Sequence, residues 1–380
     1  MTTDLPLSAA EKVKLDDAVG RVLAESVMSD IDMPPFDKAA VDGYACRRED
    51  MEMPLRLTEV IPAGIKPKKA IGIGECAKIM TGAMVPTGAD CVVMVENTSL
   101  SDDIVIIHDI RTKNNIAYQA EEIKKGSLVL GAGTLIKPQH IAVLAAVGVS
   151  SPSVYAKVTM TIFSTGDELI EPHLQPTDGK IRNSNSSQLL AQSILMGVQA
   201  KYGGIIPDDE KATRQMIGNA LINSQVIMLS GGISMGDFDY VPAILTEMGF
   251  EIQFRSVAVQ PGKPTVFARS KDKFVIALPG NPVSSLNIFE LLAKPFLYQM
   301  MGHSCRPLIL KAPLGNDYTR KTTDRYGFVP GFIDENGTVW PVHYQGSAHI
   351  HALTAANVLI SFKPGTTGAM KGEFVDVRFI

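Results

Sequence analysis

The stretch VIMLSGGISMGDFD, residues 226–239, decides how the rest of this chain of 380 residues is interpreted. Its apolar start, residues 226–229, is typical of a strand that is buried on both faces of a sheet. The strand runs into Gly231 and Gly232, where the backbone can turn sharply and present N–H groups to a ligand. The stretch therefore predicts a strand that ends in a ligand-binding turn.

Two carboxylates follow that turn, Asp237 and Asp239, and a helix is predicted directly after them, over residues 240–248. A glycine turn and a helix start both offer N–H donors, and carboxylates are ligands of hard cations. The combination predicts a site for a phosphate or another oxyanion together with a hard cation.

The surrounding region, residues 156–303, alternates short apolar runs with helical stretches. This alternation predicts a catalytic, doubly wound α/β domain with a mostly parallel sheet and helices on both faces. Ligands of such sheets bind beyond the carboxyl ends of the strands. Polar loops rich in Gly and Pro are predicted at that edge: STGDE (164–168), PDDE (207–210), QPGKP (260–264) and PGNP (279–282).

The other regions predict three further domains. Residues 46–125 contain short strands punctuated by Gly and Pro, which is typical of a small β domain. We expect this domain to be inserted into a discontinuous linker domain made of residues 1–45 and 126–155. Residues 304–380 alternate apolar and polar positions and predict a C-terminal β domain.

The linker domain is expected to contain two helices. Residues 8–24 predict an amphipathic helix, because Ser8 can cap it and Glu11 stands three positions later, as in a capping box. A second helix is predicted over residues 138–146.

The composition is that of an ordinary globular protein, with 45% hydrophobic and 20% charged residues. The net charge of −4 and the absence of a long basic run argue against nucleic acid as a partner. No apolar run approaches the roughly 18 residues of a membrane helix. The four cysteines form no CxxC pair, which favours reduced thiols. We therefore expect a cytoplasmic protein that binds neither nucleic acid nor membranes.

Four carboxylates would lie around one crevice if the sheet forms as predicted: Glu168, Asp208, Asp237 and Asp239. Oxygen ligands of this kind favour Mg²⁺, which usually takes one or two carboxylates together with substrate phosphates. Lys263 would add positive potential for the anion. The competing interpretation is a set of solvated loop acids and helix caps.

A rival pattern overlaps the glycine turn. Residues 232–236, GISMG, satisfy the G-x-S-x-G rule of α/β-hydrolases, with Ser234 as the nucleophile. That motif needs a helix that starts at the serine, whereas Gly236 and Asp237 delay the helix. A hydrolase is therefore disfavoured, and Ser234→Ala would abolish its activity.

Two further positions are ambiguous from spacing alone. Asp42-Gly43 is a turn dipeptide that carries a carboxylate, and the hydroxyl of Thr81, beside Gly82, can hold an anion. From spacing alone, an ordinary surface turn is the favoured interpretation of Asp42-Gly43, whereas for Thr81-Gly82 the turn and the anion site are equally good interpretations.

Seven motifs resemble those of the MoeA family, the molybdopterin molybdenumtransferases, which include the gephyrin E domain. Six are PPFDKAAVDGYA (34–45), IMTGAMVPTGADCVVMVE (79–96), STGDEL (164–169), SGGISMGDFDYV (230–241), PGKPTVFA (261–268) and ALPGNPVSSL (277–286). The seventh, QGSAHIHALTAANVLI (345–360), resembles the family's C-terminal domain. The motifs follow the family's order and cover almost the whole chain.

The resemblance implies a homodimer with its active site in a cleft between subunits. It implies that adenylylated molybdopterin and molybdate are the substrates and that Mg²⁺ is the cofactor. Molybdenum would be inserted into the dithiolene, and AMP would be released. Transient contacts with the adenylyltransferase and with molybdoenzyme maturation proteins are implied as well.

Residue roles follow from the same motifs. Asp42, Thr81, Glu168, Asp239 and Lys263 resemble the family's catalytic residues, and we expect them to meet in one cleft. The implied Mg²⁺ ligands are Asp237 and Asp239. The implied substrate contacts are Gly231, Gly232, Ser234, Gly236, Pro261, Gly262, Pro279, Gly280, Asn281, Pro282, Ser284, Arg325 and Ser347.

The sequence departs from the family at a few positions that concern oxyanion affinity and the choice of metal rather than the fold. Gln260 stands where many members have Lys, and Pro330 where a second Arg is frequent. Ala117, Ala120 and Glu122 replace the usual Arg, Gly and Asp of one loop.

We therefore predict a transferase of molybdenum cofactor biosynthesis. A molybdopterin adenylyltransferase is the second hypothesis, disfavoured because that activity requires neither the inserted nor the C-terminal β domain. A non-enzymatic scaffold of the gephyrin type is a third hypothesis, disfavoured because the chain lacks the extra domain and linker of those fusions.

Overall fold

The computed structural model describes residues 5–233, 240–343, 346 and 348–380. The chain divides into two compact units, here called the larger and the smaller unit. The larger unit consists of Met1–Ala24, Gly133–Lys137 and Ser153–Ile380, and the smaller of Glu25–Ala132 and Pro138–Pro152.

A six-stranded mixed sheet forms the centre of the larger unit. Its strands are β1 (Thr159–Thr165), β2 (Gln199–Ile206), β3 (Val226–Ser230), β4 (Glu251–Ser256), β5 (Pro264–Ser270) and β6 (Lys273–Leu278). The spatial order is β2-β1-β3-β6-β5-β4. The β2-β1, β1-β3 and β3-β6 pairings are parallel, whereas β6-β5 and β5-β4 are antiparallel. The mostly parallel sheet is thus as predicted, with antiparallel strands at one edge.

Helices cover both faces of this sheet. They are α1 (Asn185–Leu195), α2 (Glu210–Asn223), α3 (Val241–Glu247), α4 (Pro282–Ile288) and α5 (Lys294–Met300), with one π-helical turn, Phe289–Ala293, between the last two. Successive strand residues point to opposite faces. Met228 accordingly packs in one core with Leu189 and Phe296, while Ile227 packs in another with Ile217. The two cores confirm the doubly wound arrangement.

The helix predicted over residues 8–24 is wrong. The segment instead contains a short strand, Ala10–Lys12, and a 3₁₀ turn, Leu15–Asp17. The strand pairs antiparallel with Ser153–Tyr155. This pairing and the hydrogen bond from Ser8 N to Met300 O satisfy the backbone with partners that are distant in sequence. Local helix signals are weaker than such tertiary contacts.

The C-terminal part of the larger unit is a β structure, as predicted. Its sheet contains, in spatial order, Val259–Gln260, Tyr326–Ile333, Val358–Phe362, Phe374–Phe379 and Ile309–Pro313, with Val339–Pro341 also paired to Tyr326–Ile333. A hairpin turn lies at residues 334–337, where the N–H of Asp334 donates to Thr338 O at 2.9 Å. The remaining elements are the pairs Tyr318–Thr319 with Gly368–Ala369 and Leu169–Ile170 with Ile181–Arg182, and a 3₁₀ helix, Ile350–Ala355.

The smaller unit is built on a second six-stranded sheet. In spatial order its strands are Cys91–Met94, Gly43–Cys46, Glu75–Ile79, Leu55–Ile61, Ile104–Ile107 and Thr98–Ser101. Two short ribbons pair Lys38–Ala39 with Ile116–Ala117 and Val27–Met28 with Leu128–Leu130, and 3₁₀ turns lie at Arg48–Asp50 and Val95–Asn97. The helix Pro138–Ala146 has the predicted bounds. Within the described ranges of both units, no helix is long and apolar enough to cross a bilayer.

Candidate active site

A cleft of about 430 Å³ opens beyond the carboxyl ends of the parallel strands in the larger unit. The ends of β1 and β3, the loops that follow β1, β3 and β6, and the start of α1 form its walls. Parallel strands that end at one sheet edge deliver their loops to the same place, which explains why distant motifs meet there. Six predicted site residues line it: Glu168, Gly231, Gly232, Gly280, Asn281 and Pro282.

The glycine turn forms the floor of the cleft. Gly231 and Gly232 have φ angles of +100° and +68°, which side-chain-bearing residues rarely adopt. A Cβ atom would approach the Thr165 hydroxyl oxygen to 2.7 Å from Gly231 and 2.9 Å from Gly232. The N–H of Gly231 donates to Leu278 O at 3.0 Å, so this donor is used within the fold and is not available to a ligand, contrary to the prediction.

Asn185 fixes two walls of the cleft relative to each other. Its Nδ2 donates to Ser230 Oγ at 2.7 Å and to Gly280 O at 2.6 Å. It lies at the start of α1, where Ser184 holds the N-cap position without a capping side-chain bond. Its bridging role depends on contacts that are not local, and no sequence signal marks it.

Two of the predicted metal-binding carboxylates are on the cleft wall. Glu168 and Asp208 both line it, and both are exposed. Asp208 and Asp167 are joined reciprocally, each main-chain N–H donating to the other's carboxylate at 3.1 and 3.3 Å. In the described part of the chain, no three His, Cys, Asp or Glu side chains form a metal-binding group. Asp237 and Asp239, together with Ser234, Gly236 and Ser347, lie outside the described residues.

The loop that contains Lys263 is not part of this cleft lining. Lys263 is exposed and its carbonyl accepts from Val257 N at 3.0 Å. Gly262 is buried, and a Cβ atom there would meet Ile288 Cδ1 at 2.5 Å, so close packing on α4 requires glycine. Pro261, Pro279, Ser284 and Arg325 are likewise absent from the lining, and Ser284 is only 4% exposed.

A second cleft in the larger unit, of about 730 Å³, is lined by Gln260 and by polar residues of the C-terminal sheet region. Arg320 and Lys321 bring positive charge to it. Arg320 donates to the carbonyl oxygens of Lys363 and Arg325, whereas Lys321 is exposed. Asn316, Thr319 and His343 add further hydrogen-bonding groups, and Asp317 adds a carboxylate.

Asp42 and Thr81 lie together in the smaller unit. The N–H and the hydroxyl of Thr81 both donate to Asp42 Oδ1, at 2.6 and 2.7 Å. Both bonds hold the pKa of Asp42 below its ordinary value, and the backbone bond has the larger effect. The Thr81 hydroxyl therefore stabilises a carboxylate rather than offering its proton to an anion.

Comparisons with known proteins cover nearly all of the chain. Residues 1–148 match the model of the MoeA N-terminal region (domains I and II), residues 161–299 that of a probable molybdopterin binding domain, and residues 311–380 that of the MoeA C-terminal region (domain IV). The molybdopterin molybdenumtransferase of Staphylococcus epidermidis is 35% identical over 96% of this chain and 90% of its own. That of Staphylococcus aureus is 34% identical over the same shares.

The fold is similar to solved structures as well. The crystal structure of the molybdopterin biosynthesis MoeA protein from Pyrococcus horikoshii OT3 covers 99% of this chain and 96% of its own, with 31% identity and a TM-score of 0.85. The family models, and relatives named molybdopterin molybdenumtransferase at 34–35% identity, place the chain in the class of transferases of molybdenum cofactor biosynthesis. The chain belongs to the molybdopterin molybdenumtransferase family, also called MoeA. It is an enzyme, as its relatives are.

Proposed function

We propose that this enzyme transfers molybdenum from molybdate to adenylylated molybdopterin and releases AMP. The observation that carries the proposal is the cleft beyond β1, β3 and β6, in a chain with 35% identity to a molybdopterin molybdenumtransferase. Its volume of about 430 Å³ suits a small-molecule ligand. The glycine turn lets a ligand approach the backbone at the cleft floor.

The donor atoms of this cleft suit Mg²⁺, the proposed cofactor. Glu168 and Asp208 offer hard carboxylate oxygens, and Mg²⁺ commonly binds one or two carboxylates along with substrate phosphates. Asp237 and Asp239 remain predicted ligands. A bound Mg²⁺ would offset the negative charge of the phosphate groups. Asn185 holds the glycine turn and the Gly280 loop in place around this site, through its hydrogen bonds to Ser230 Oγ and Gly280 O.

Molybdate is a tetrahedral dianion and needs hydrogen-bond donors and positive charge. Lys321, Asn316 and Thr319 of the second cleft supply both. Lys263, Ser284, Arg325 and Ser347 remain the predicted oxyanion contacts.

We further propose that the enzyme acts in the cytoplasm as a homodimer. It would receive its substrate from the adenylyltransferase and deliver its product to molybdoenzyme maturation proteins. Similarity to the family supports these proposals.

The test is product formation by the purified protein. Incubation with adenylylated molybdopterin, molybdate and Mg²⁺ should yield AMP, measured by chromatography against a reaction without protein. Glu168→Gln should lower the rate at least tenfold, whereas Glu251→Gln, an exposed carboxylate at the start of β4, should not change it. Absence of AMP above the protein-free control would contradict the proposal. Consumption of ATP with bare molybdopterin would instead identify an adenylyltransferase.

A further inference from the structure

The π-helical turn between α4 and α5 leaves one backbone carbonyl without a helical partner. In a regular α-helix, the carbonyl of Glu290 would accept from the N–H of Lys294. In this turn the N–H of Lys294 donates instead to Phe289 O. The partner that a π-helix would offer to Glu290 O is residue 295, a proline, which has no N–H. Both helical donors are therefore lost to the carbonyl of Glu290.

The C-terminal sheet supplies a donor in their place. The guanidinium of Arg378, on the last strand of that sheet along the chain, donates to Glu290 O. Three residues before Glu290, the buried Asn287 donates through Nδ2 to Phe328 O at 3.0 Å, on another strand of the same sheet. Residues three apart lie on one side of a helix. One side of α4 and the π-helical turn is thus attached to the C-terminal sheet at two points.

The strands that make these two contacts enclose the strand that leads back to the cleft. Val358–Phe362 lies between the strands that contain Phe328 and Arg378. Only two residues separate it from the 3₁₀ helix Ile350–Ala355, whose first residue lines the cleft of about 430 Å³. The start of α4 lines the same cleft. Two parts of the cleft wall, one from each sheet region, are therefore joined through α4 and the π-helical turn.

We propose that Arg378 and Asn287 are positioning residues, which set the distance between Ile350 and the start of α4 across the cleft. The inference rests on the proposed function, in which this cleft binds the substrate. Neither side chain is among the described residues that line the cleft, so both act through the elements that they hold. Substrate binding and catalysis are sensitive to small displacements of the groups that surround a substrate.

The alternative is a purely structural role, in which the two contacts only stabilise the C-terminal sheet. The variants would then have a lower Tm, but the folded protein would bind its substrate as the wild type does. Trp340, the only tryptophan of the chain, lies in the C-terminal sheet region. Its fluorescence therefore shows whether that sheet is folded under the conditions of each measurement.

The first test is kinetic and compares Arg378→Met with Lys311→Met, which removes an exposed cation from the neighbouring strand. In the AMP-release assay, Arg378→Met should raise the KM for adenylylated molybdopterin about fivefold or more, with a smaller change in kcat. Lys311→Met should behave as the wild type. Arg378→Lys should restore most of the affinity, because an ammonium group can also donate to a carbonyl.

The second test is amide hydrogen exchange, which needs no turnover. Exchange within residues 350–355 should be faster in Arg378→Met than in Lys311→Met, at a temperature where Trp340 fluorescence shows a folded sheet. If Arg378→Met does not fold, Asn287→Leu takes its place, because it removes only the contact with Phe328 O.

An unchanged KM in the folded variant would overturn the inference, whether or not Tm is lower. Exchange at residues 350–355 equal to that of Lys311→Met would overturn it as well. The two tests also separate this inference from the proposed function. Turnover with unchanged KM overturns only the positioning role, whereas faster exchange in a protein that releases no AMP overturns only the proposed reaction.

Discussion

The backbone N–H and the hydroxyl of Thr81 converge on a single carboxylate oxygen of Asp42, at 2.6 and 2.7 Å. Two donors on one oxygen favour the charged form, which is why the pKa of Asp42 is lowered. Both residues are predicted to be catalytic, and the geometry gives Thr81 a defined part: it keeps Asp42 ionised and oriented.

Thr81→Val should raise the pKa of Asp42 toward its ordinary value, because the hydroxyl donor is lost while the N–H donor remains. In the wild type, ionised Asp42 stabilises the folded state at any pH above the pKa that this carboxyl has in the unfolded state. This stabilisation is lost as the pH falls through the lowered pKa of Asp42 in the folded state. In the variant the contribution is smaller, and it is completely lost at a higher pH because the folded-state pKa is higher, while the onset of the loss stays at the unfolded-state pKa. The carboxyl ¹³C shift of Asp42 measures the effect. Asp109, whose pKa is lowered by bonds from Arg111, is the internal control and should not change.

Gly43→Ala should destabilise the smaller unit by about 3 kcal/mol or more, since this is a backbone clash rather than a lost contact. The added Cβ would lie 1.9 Å from Val93 O, across the pairing of Gly43–Cys46 with Cys91–Met94. Gly131→Ala is the matched control, because no atom lies within 4 Å of its Cβ position. Urea unfolding of both variants is the measurement, and equal midpoints would refute the expected clash.

Asn185→Ala should impair substrate binding more than it impairs folding. The substitution removes both bonds that hold Ser230 and the Gly280 carbonyl, at a cost of about 1–3 kcal/mol, and frees two walls of the cleft to separate. We expect KM to rise severalfold in the AMP-release assay. Ser187→Ala, an exposed position on the same helix, should behave as wild type. A KM unchanged in Asn185→Ala would show that the cleft does not depend on this residue.

Glu290→Gln should lower the free energy of unfolding by about 2 kcal/mol, because it removes the buried carboxylate that accepts a charged hydrogen bond from the partly buried Lys294 ammonium. Glu290 is 5% exposed and accepts from Lys294 Nζ at 2.7 Å and from Gln192 Nε2 at 2.9 Å, while Arg378 donates to its carbonyl. The exposed pair of Glu247 with Arg214 is the comparison. Glu247→Gln should change stability by less than about 1 kcal/mol. Equal losses for the two variants would contradict the distinction between buried and exposed pairs.

The sheet and its helices were predictable because burial on both faces leaves continuous apolar runs such as that of β3, and because Gly and Pro mark the loops between them. The helix prediction for residues 8–24 failed because the structure there is set by a distant partner and not by local sequence. The strand Ala10–Lys12 forms only by pairing with Ser153–Tyr155. Asn185 was missed for a related reason. A bridging amide is defined by the atoms around it, here Ser230 Oγ and the Gly280 carbonyl, and residue type alone does not reveal it.

The segment that leads into Lys263 joins two sheets. Val259–Gln260 hydrogen-bonds in parallel to Tyr326–Ile333 of the C-terminal sheet, and β5 begins at Pro264 in the α/β sheet. The three intervening residues, Pro261 to Lys263, can extend over at most about 11 Å. Such a short tether cannot absorb a large excursion of either sheet. A shift of the C-terminal sheet relative to the α/β sheet must therefore change the conformation of the Lys263 loop. The position of Lys263 is thus coupled to the relative position of the two sheets.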